Sequence, residues 1–212
     1  MENVLRIKAT PSRQGWPVML VVLFAVGMFF ASCQEDNVNP NASYQQVNLV
    51  ASANGYNAAK IDANLVNAWG VAVGPTGAFW ISSTEADLTT VYDRTGLTLL
   101  APIAIGGKPT GVVYNSSLDF AIPSTASISK FIYVGEEGSI HSWASGTTAV
   151  KVVDHSAGAA VYKGVEIATD GDANFIYIAN FAEGKIEVMD KNFNVVTTKP
   201  FIDPNLPVGF AP

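Results

Sequence analysis

Three short acidic stretches hold most of the side chains in this sequence that can do chemistry. Glu85 and Asp87 lie within 82–89, Glu136 and Glu137 within 135–138, and Asn180 and Glu183 within 180–184. Lys108, His155 and Lys163 stand in two further polar segments. Brought together, such oxygens can hold a hard cation such as Ca²⁺, which takes about 6–8 oxygen ligands. A bound cation can in turn polarise a lactone carbonyl for hydrolysis. The alternative is a set of solvated acids on an acidic surface, because no Asp/Glu spacing here is diagnostic. Glu166 is a separate case: it sits in the apolar run Gly164-Val165-Glu166-Ile167, where a carboxylate needs a partner or water.

Other constellations fail on their residues. His141 and His155 are the only histidines and Cys33 the only cysteine, which excludes a zinc site of Cys/His type and any intrachain disulfide. Asp170-Gly171-Asp172-Ala173-Asn174 begins like a calcium-binding EF-hand loop. Phe175 then stands where the loop needs glycine, and Phe181 where it needs a bidentate glutamate, so the segment reads as a turn. No Gly-x-Ser-x-Gly nucleophile motif occurs. Trp69, Trp80, Trp143 and Phe181 are either a sugar-stacking set or packing between elements. With 12 basic and 18 acidic residues, the chain lacks the basic face that nucleic acid requires.

The elements that must position these residues repeat. Of 212 residues, 49% are hydrophobic and 14% charged, with 18 Gly and 11 Pro, the composition of many short elements joined by turns. Trp69-Gly70-Val71, Thr110-Gly111-Val112 and Lys163-Gly164-Val165 open three similar units. Each opening is followed by an aromatic-rich strand (Phe79–Ile81, Phe131–Val134, Phe175–Ile178), a polar loop and a second short strand. An outer strand then closes each unit, from Leu97 to Ile105, from Ala149 to Asp154, and from Val195 to Ile202. Four short strands per repeat of about 40–50 residues predict an all-β, propeller-like fold. The blades span about 67–105, 109–154 and 162–202, an insertion falls at 119–129, and a fourth opening starts at Pro207. Tyr44–Ser52 reads as an outer strand without a blade. Propellers have about 4–8 blades, so this ring is incomplete, and the expectation is that further blades come from a longer chain or a partner. In such a fold the acidic loops gather at the channel mouth, and Glu166 is expected to line the channel.

The N-terminus carries an address. Arg6, Lys8 and Arg13 precede the apolar run Val18–Phe30 and then Ala31-Ser32-Cys33, the pattern of a secretory signal peptide. The run is shorter than the roughly 20 residues of a membrane-spanning helix. Residues 1–32 are thus read as a lipoprotein signal peptide, 33–43 as a linker and 44–212 as the partial propeller. Losing Arg6, Lys8, Arg13 and Glu2 leaves 9 basic and 17 acidic residues. Phe30-Ala31-Ser32-Cys33 resembles the bacterial lipobox, with Phe30 where leucine is usual, which implies lipidation of Cys33. Cys33-Gln34-Glu35-Asp36 resembles the signal that exports lipoproteins to the outer surface of Bacteroidota-like bacteria. A plain acidic tether is the other reading.

Asn64-Leu65-Val66-Asn67-Ala68-Trp69-Gly70 with Pro75-Thr76-Gly77-Ala78-Phe79-Trp80 resembles the start of an uncharacterised family of secreted bacterial propeller-like proteins. Ala68 departs from the family's proline at that place. The likeness continues through Pro109-Thr110-Gly111, Glu137-Gly138-Ser139-Ile140, Ala179-Asn180-Phe181 and Phe201-Ile202-Asp203-Pro204-Asn205-Leu206-Pro207. The resemblance implies fold and secretion and brings no catalytic residues. The blade pattern is more distantly similar to NHL-repeat and gluconolactonase-type propellers. The reading that follows is a surface-anchored binding or scaffold lipoprotein, presenting loops to an extracellular glycan, peptide or protein. Its rivals are a Ca²⁺-dependent hydrolase or lactonase acting at the channel mouth, and a non-functional fragment of a longer propeller.

Overall fold

A computed structural model describes residues 45–201 together with 205, 207, 209 and 210. Contacts divide the chain at Gln46/Val47, and the fold lies in the second unit, Val47–Pro212. The signal segment, Cys33 and the linker 33–43 lie outside the described residues.

Valine, isoleucine, aromatic and threonine residues dominate the segments between turns, and they form strands because branched and aromatic side chains pack well on a pleated sheet. β1 (Val50–Ala51) and β2 (Lys60–Ile61) make a small parallel pair. β3 (Ala68–Val73), β4 (Phe79–Ser83), β5 (Leu88–Tyr92) and β6 (Thr98–Ala104) form an antiparallel meander, the first blade. β7 (Pro109–Tyr114), β8 (Phe131–Gly135), β9 (Ser139–Trp143) and β10 (Val150–Asp154) form the second. β11 (Tyr162–Asp170), β12 (Ala173–Asn180) and β13 (Lys185–Met189) form the third. The fold is all-β and propeller-like, with the ring incomplete.

Turn chemistry repeats with the strands. The Asp93 carboxylate accepts the backbone N–H groups of Thr95 and Leu97, and that of Asp190 accepts those of Asn192 and Asn194. Both aspartates sit in the turn after the third strand of their blade, where a short carboxylate satisfies donors that the chain reversal leaves unpaired.

One expectation is corrected. Over the described part of the expected strand, Val195–Phe201, no outer strand forms: Val195 makes only an isolated bridge to Met189, and the Val196 N–H bonds to the Val188 carbonyl. The segment makes side-chain contacts instead, with Lys199 paired to Asp170 and over the Phe175 ring, and Phe201 edge-on to Tyr177. The N-terminal segment pairs through β1 with β2 and joins none of the blade sheets. Near the expected fourth opening, the Phe210 N–H closes a turn on the Pro207 carbonyl.

Blades pack face to face, and the period of two sorts each strand between neighbours. Phe131 and Tyr133 join Trp80, Val91, Ile103 and Val112 in one core, between the first and second blades. Ile132 and Val134 join Ile140, Tyr162, Ile176, Ile178 and Met189 in another, between the second and third. Phe131–Val134 is a continuous apolar run because both of its faces are buried. Each such side chain contributes roughly 1.5–3 kcal/mol on burial, and the middle blade takes part in both cores.

The inner strands β3, β7 and β11 meet at glycines. A Cβ at Gly70 would press into the Thr110 carbonyl oxygen, and it would lie 3.0 Å from the Val112 nitrogen. At Gly111 it would lie 2.9 Å from the Val134 side chain and 3.0 Å from the Val165 nitrogen. At Gly164 nothing lies within 4 Å. We predict that Gly111→Val lowers unfolding free energy in urea by about 1–3 kcal/mol or more through overpacking. Gly164→Val should change it by less than about 0.5 kcal/mol, as at an open surface position.

Candidate functional site

The connections at one end of the blades form a hydrogen-bonded ladder. After β4 a short 3₁₀ turn, Thr84–Ala86, ends at Asp87 in the left-handed region at φ 54°. The Asp87 carbonyl accepts the N–H groups of Ile105 and Gly106, and its carboxylate accepts that of Lys108 at 2.8 Å. The Thr84 hydroxyl donates to the Pro109 carbonyl at 2.8 Å. The first blade thereby grips the crossover into the second.

The second blade continues the pattern. Glu136 and Glu137 donate their N–H groups to the carbonyls of Lys108 and Gly107, and Gly138 accepts from His155 on the next crossover. The Asn180 side chain accepts the Val161 N–H at 3.2 Å, and Phe181 donates to the Val161 carbonyl. Loops 82–89, 135–138 and 180–184 and the two crossovers thus sit at one end, joined through backbone.

Most acids expected to face a ligand there already have partners. Glu85 stands 4.0 Å from Lys108, and Glu183 lies 3.2 Å from Lys185 and accepts from Asn180. Glu136 pairs with Lys163, whose ammonium lies 4.5 Å from the centre of the Trp69 ring. The Glu137 side chain is exposed. Among the described residues, no three His, Cys, Asp or Glu side chains come together as a metal-holding group. Exposed pairs of this kind contribute about 0–1 kcal/mol each; they orient the side chains more than they stabilise the fold.

Glu166 is elsewhere. It pairs in register with Tyr177 on the face of the third blade turned away from the second, and its carboxylate accepts the Ile167 N–H. The equivalent Ala72 and Val113 lie in the cores between successive blades, whereas Glu166 lies on a face that no other blade covers among the described residues. The four aromatics also part company. Trp80 and Trp143 pack in the first core, whereas Trp69 and Phe181 are exposed.

Two buried polar groups escaped the sequence reading. Glu187 is 7% exposed in β13 and lies 3.1 Å from the Tyr162 hydroxyl and 3.3 Å from His155 Nδ1, while Tyr162 and His155 are 2.7 Å apart. Burial, with the Glu187 charge next, pushes the Tyr162 phenol well above its ordinary range. This knot fastens the second crossover onto the third blade. Its signal was available: Glu187 is in phase with the buried Met189, two residues on. His141 in β9 is the other. It lies beneath the first crossover, where a Cβ at Gly107 would come within 3.0 Å of its ring.

Burial, followed by the Lys151 charge, lowers the His141 pKa from 6.5 to about 4. The unfolded chain therefore takes up a proton near pH 6.5 that the folded chain refuses until about pH 4. Stability contributed by neutral His141 is complete above pH 6.5 and is lost as pH falls toward 4. The expected result is a decline in urea-unfolding free energy across that window, flattened in His141→Gln.

No family model matches the chain. Two uncharacterized proteins of Acanthamoeba polyphaga mimivirus are similar to it, one 27% identical over 183 residues and the other 31% over 191. Each alignment takes in 79% of this chain, and the chain spans about half the length of these relatives, 45% and 48%. Among solved structures, a virginiamycin B lyase from Staphylococcus aureus aligns at TM-score 0.44 and 12% identity, over 61% of this chain and 40% of the lyase. A streptogramin B lyase aligns at 0.46 and 14%, over 65% and 42%. A protein of unknown function from Bacteroides caccae aligns at 0.39 and 13%, over 61% and 44%. The chain is therefore a propeller-like protein by its own sheets, similar in sequence to viral proteins that are themselves uncharacterised.

Proposed function

We propose that this protein is a lipid-tethered, propeller-type binding protein that presents its loop ladder to an extracellular glycan, peptide or protein. The supporting observation is the group at the ladder: the exposed indole of Trp69, the Lys163 ammonium over it and Glu136 paired with that lysine. An aromatic face beside a donor and an acceptor suits a ligand that stacks and hydrogen-bonds together. The backbone ladder keeps these groups in place, so less ordering entropy is lost on binding.

Cys33 is the proposed lipid acceptor. Acyl chains contribute about 0.8 kcal/mol per buried CH₂, and several together give stable anchoring. The location that follows is outside the cytoplasm, at an outer membrane and facing the cell surface. Further blades, from a longer chain or a partner, are the proposed cover for the third blade's free face. The open space at Gly164 and the half-buried Tyr177 support that reading.

Binding to arrayed oligosaccharides and peptides tests the loop-face reading. Trp69→Ala is expected to weaken the best array ligand about tenfold, the equivalent of some 1.4 kcal/mol. An unchanged affinity would move the site elsewhere. Radiolabelled palmitate should label the expressed chain and fail to label Cys33→Ala, which should also leave the membrane fraction. Calcium decides the rival reading: a rise in melting temperature with CaCl₂, reversed by EDTA and accompanied by lactone turnover, would favour the hydrolase.

A further inference from the structure

At the end of the blades opposite the ladder, the two junctions between blades are finished differently. Between the second and third blades, the insertion in the β7–β8 connection folds inward. Its Phe120 is fully buried in that core, 5.8 Å from Phe193, and Asp119 is tied to Asn174 at 2.9 Å. The first blade has no such insertion. Its β3–β4 connection is the tight turn Gly74–Ala78, closed by the Gly74 N–H on Ala78 and the Gly77 N–H on Gly74. Where a phenyl ring plugs one junction, the other keeps an open cavity of about 410 Å³, within the range of small-ligand sites.

The walls of that cavity are rings. Trp80 and Phe131 stack with centroids 3.8 Å apart, Trp143 lies 4.9 Å from Trp80, and Tyr114 lies 5.3 Å from Phe131. Gly74 lets the turn approach these rings closely, because a Cβ there would come within 3.1 Å of Trp80 Nε1 and 3.4 Å of Phe131. Leu99 and Leu100 are exposed at the rim, apolar surface that an occupant would cover.

The polar side chains at the cavity can all donate, Lys130 and Trp80 as donors alone and the Thr76 and Tyr114 hydroxyls as donors or acceptors. Lys130 is exposed, its ammonium 5.8 Å from the Trp143 ring centre, and it has no carboxylate partner among the described residues. The Trp80 indole N–H and the Tyr114 hydroxyl make no hydrogen bond among those residues, whereas the Trp143 N–H is satisfied by the Gly146 carbonyl at 3.0 Å. No acid lines the cavity. Apolar ring walls, unpaired donors and one unpaired cation call for an apolar ring bearing an anionic acceptor. Arranged this way, a carboxylate meets Lys130 in a charge-assisted bond while the ring takes the space that Phe120 fills next door.

We propose that this cavity between the first and second blades binds a flat aromatic monocarboxylate. The site stands apart from the loop ladder and does not depend on the reading given for it. Titration calorimetry with 2-naphthoate as probe is expected to show saturable one-to-one binding. The uncharged 2-naphthamide should bind at least tenfold more weakly, and octanoate more weakly than 2-naphthoate. Lys130→Glu should weaken 2-naphthoate at least tenfold without changing the melting temperature, since the side chain is exposed, and Trp69→Ala should leave the affinity unchanged. The proposal is overturned by the absence of saturable heat up to millimolar 2-naphthoate, or by equal binding of the amide. Tighter binding of octanoate, full affinity in Lys130→Glu, or loss of affinity in Trp69→Ala would overturn it equally.

Discussion

Burial of one sheet face against the next holds this structure together. Each blade is a thin antiparallel meander that cannot bury both faces by itself, and stability accrues between blades, as in other repeat folds. The inner strands approach so closely at Gly70 and Gly111 that backbone occupies the space a side chain would take. That approach brings Trp80 against Phe131 and Ile132 into the core shared with Ile176. Among the described residues the third blade has one neighbouring blade; on its other face Lys199 and Phe201 cover Phe175 and Tyr177 in part, and Glu166 is exposed.

The two ends of the blades follow from the same packing. At one end, backbone bonds from Asp87, Glu136, Gly138 and Asn180 tie successive loops and crossovers into a continuous ladder. Glu85, Glu136 and Glu183 there each stand beside a lysine, and the backbone bonds fix the geometry of the face. At the other end, the connection within each blade decides whether the junction is filled. An insertion carries Phe120 into one junction, and a five-residue turn leaves its neighbour open.

The strands and their grouping were legible because the repeat is written in local chemistry. Aromatic and branched runs, aspartate or glycine turns, and a glycine in every opening each constrain the backbone without reference to distant residues. The outer strand predicted for the third blade failed for a complementary reason. Val195–Phe201 has strand-forming residues, but strand pairing needs a continuous ladder, and Lys199 and Phe201 instead find partners on Phe175 and Tyr177. At the candidate site, the gathering of the acidic loops followed from blade topology. The lysine that Glu136 meets did not, because Glu136 and Lys163 belong to different blades and are 27 residues apart.

By itself the sequence determined the all-β class, the blade period, the loops that share an end and the apolar character of the middle blade's strands. These depend on side-chain alternation and turn geometry, both local properties. Only the tertiary structure decided which faces are covered. Glu166 and Val113 hold equivalent places in their repeats, yet one is exposed and the other lies in a core, because among the described residues only one has a blade beside it. Likewise Trp80 and Trp69 are the same residue type on adjacent strands, one packed between blades and one exposed beside Lys163. Burial is a property of neighbours, and neighbours far apart in the chain are chosen by packing.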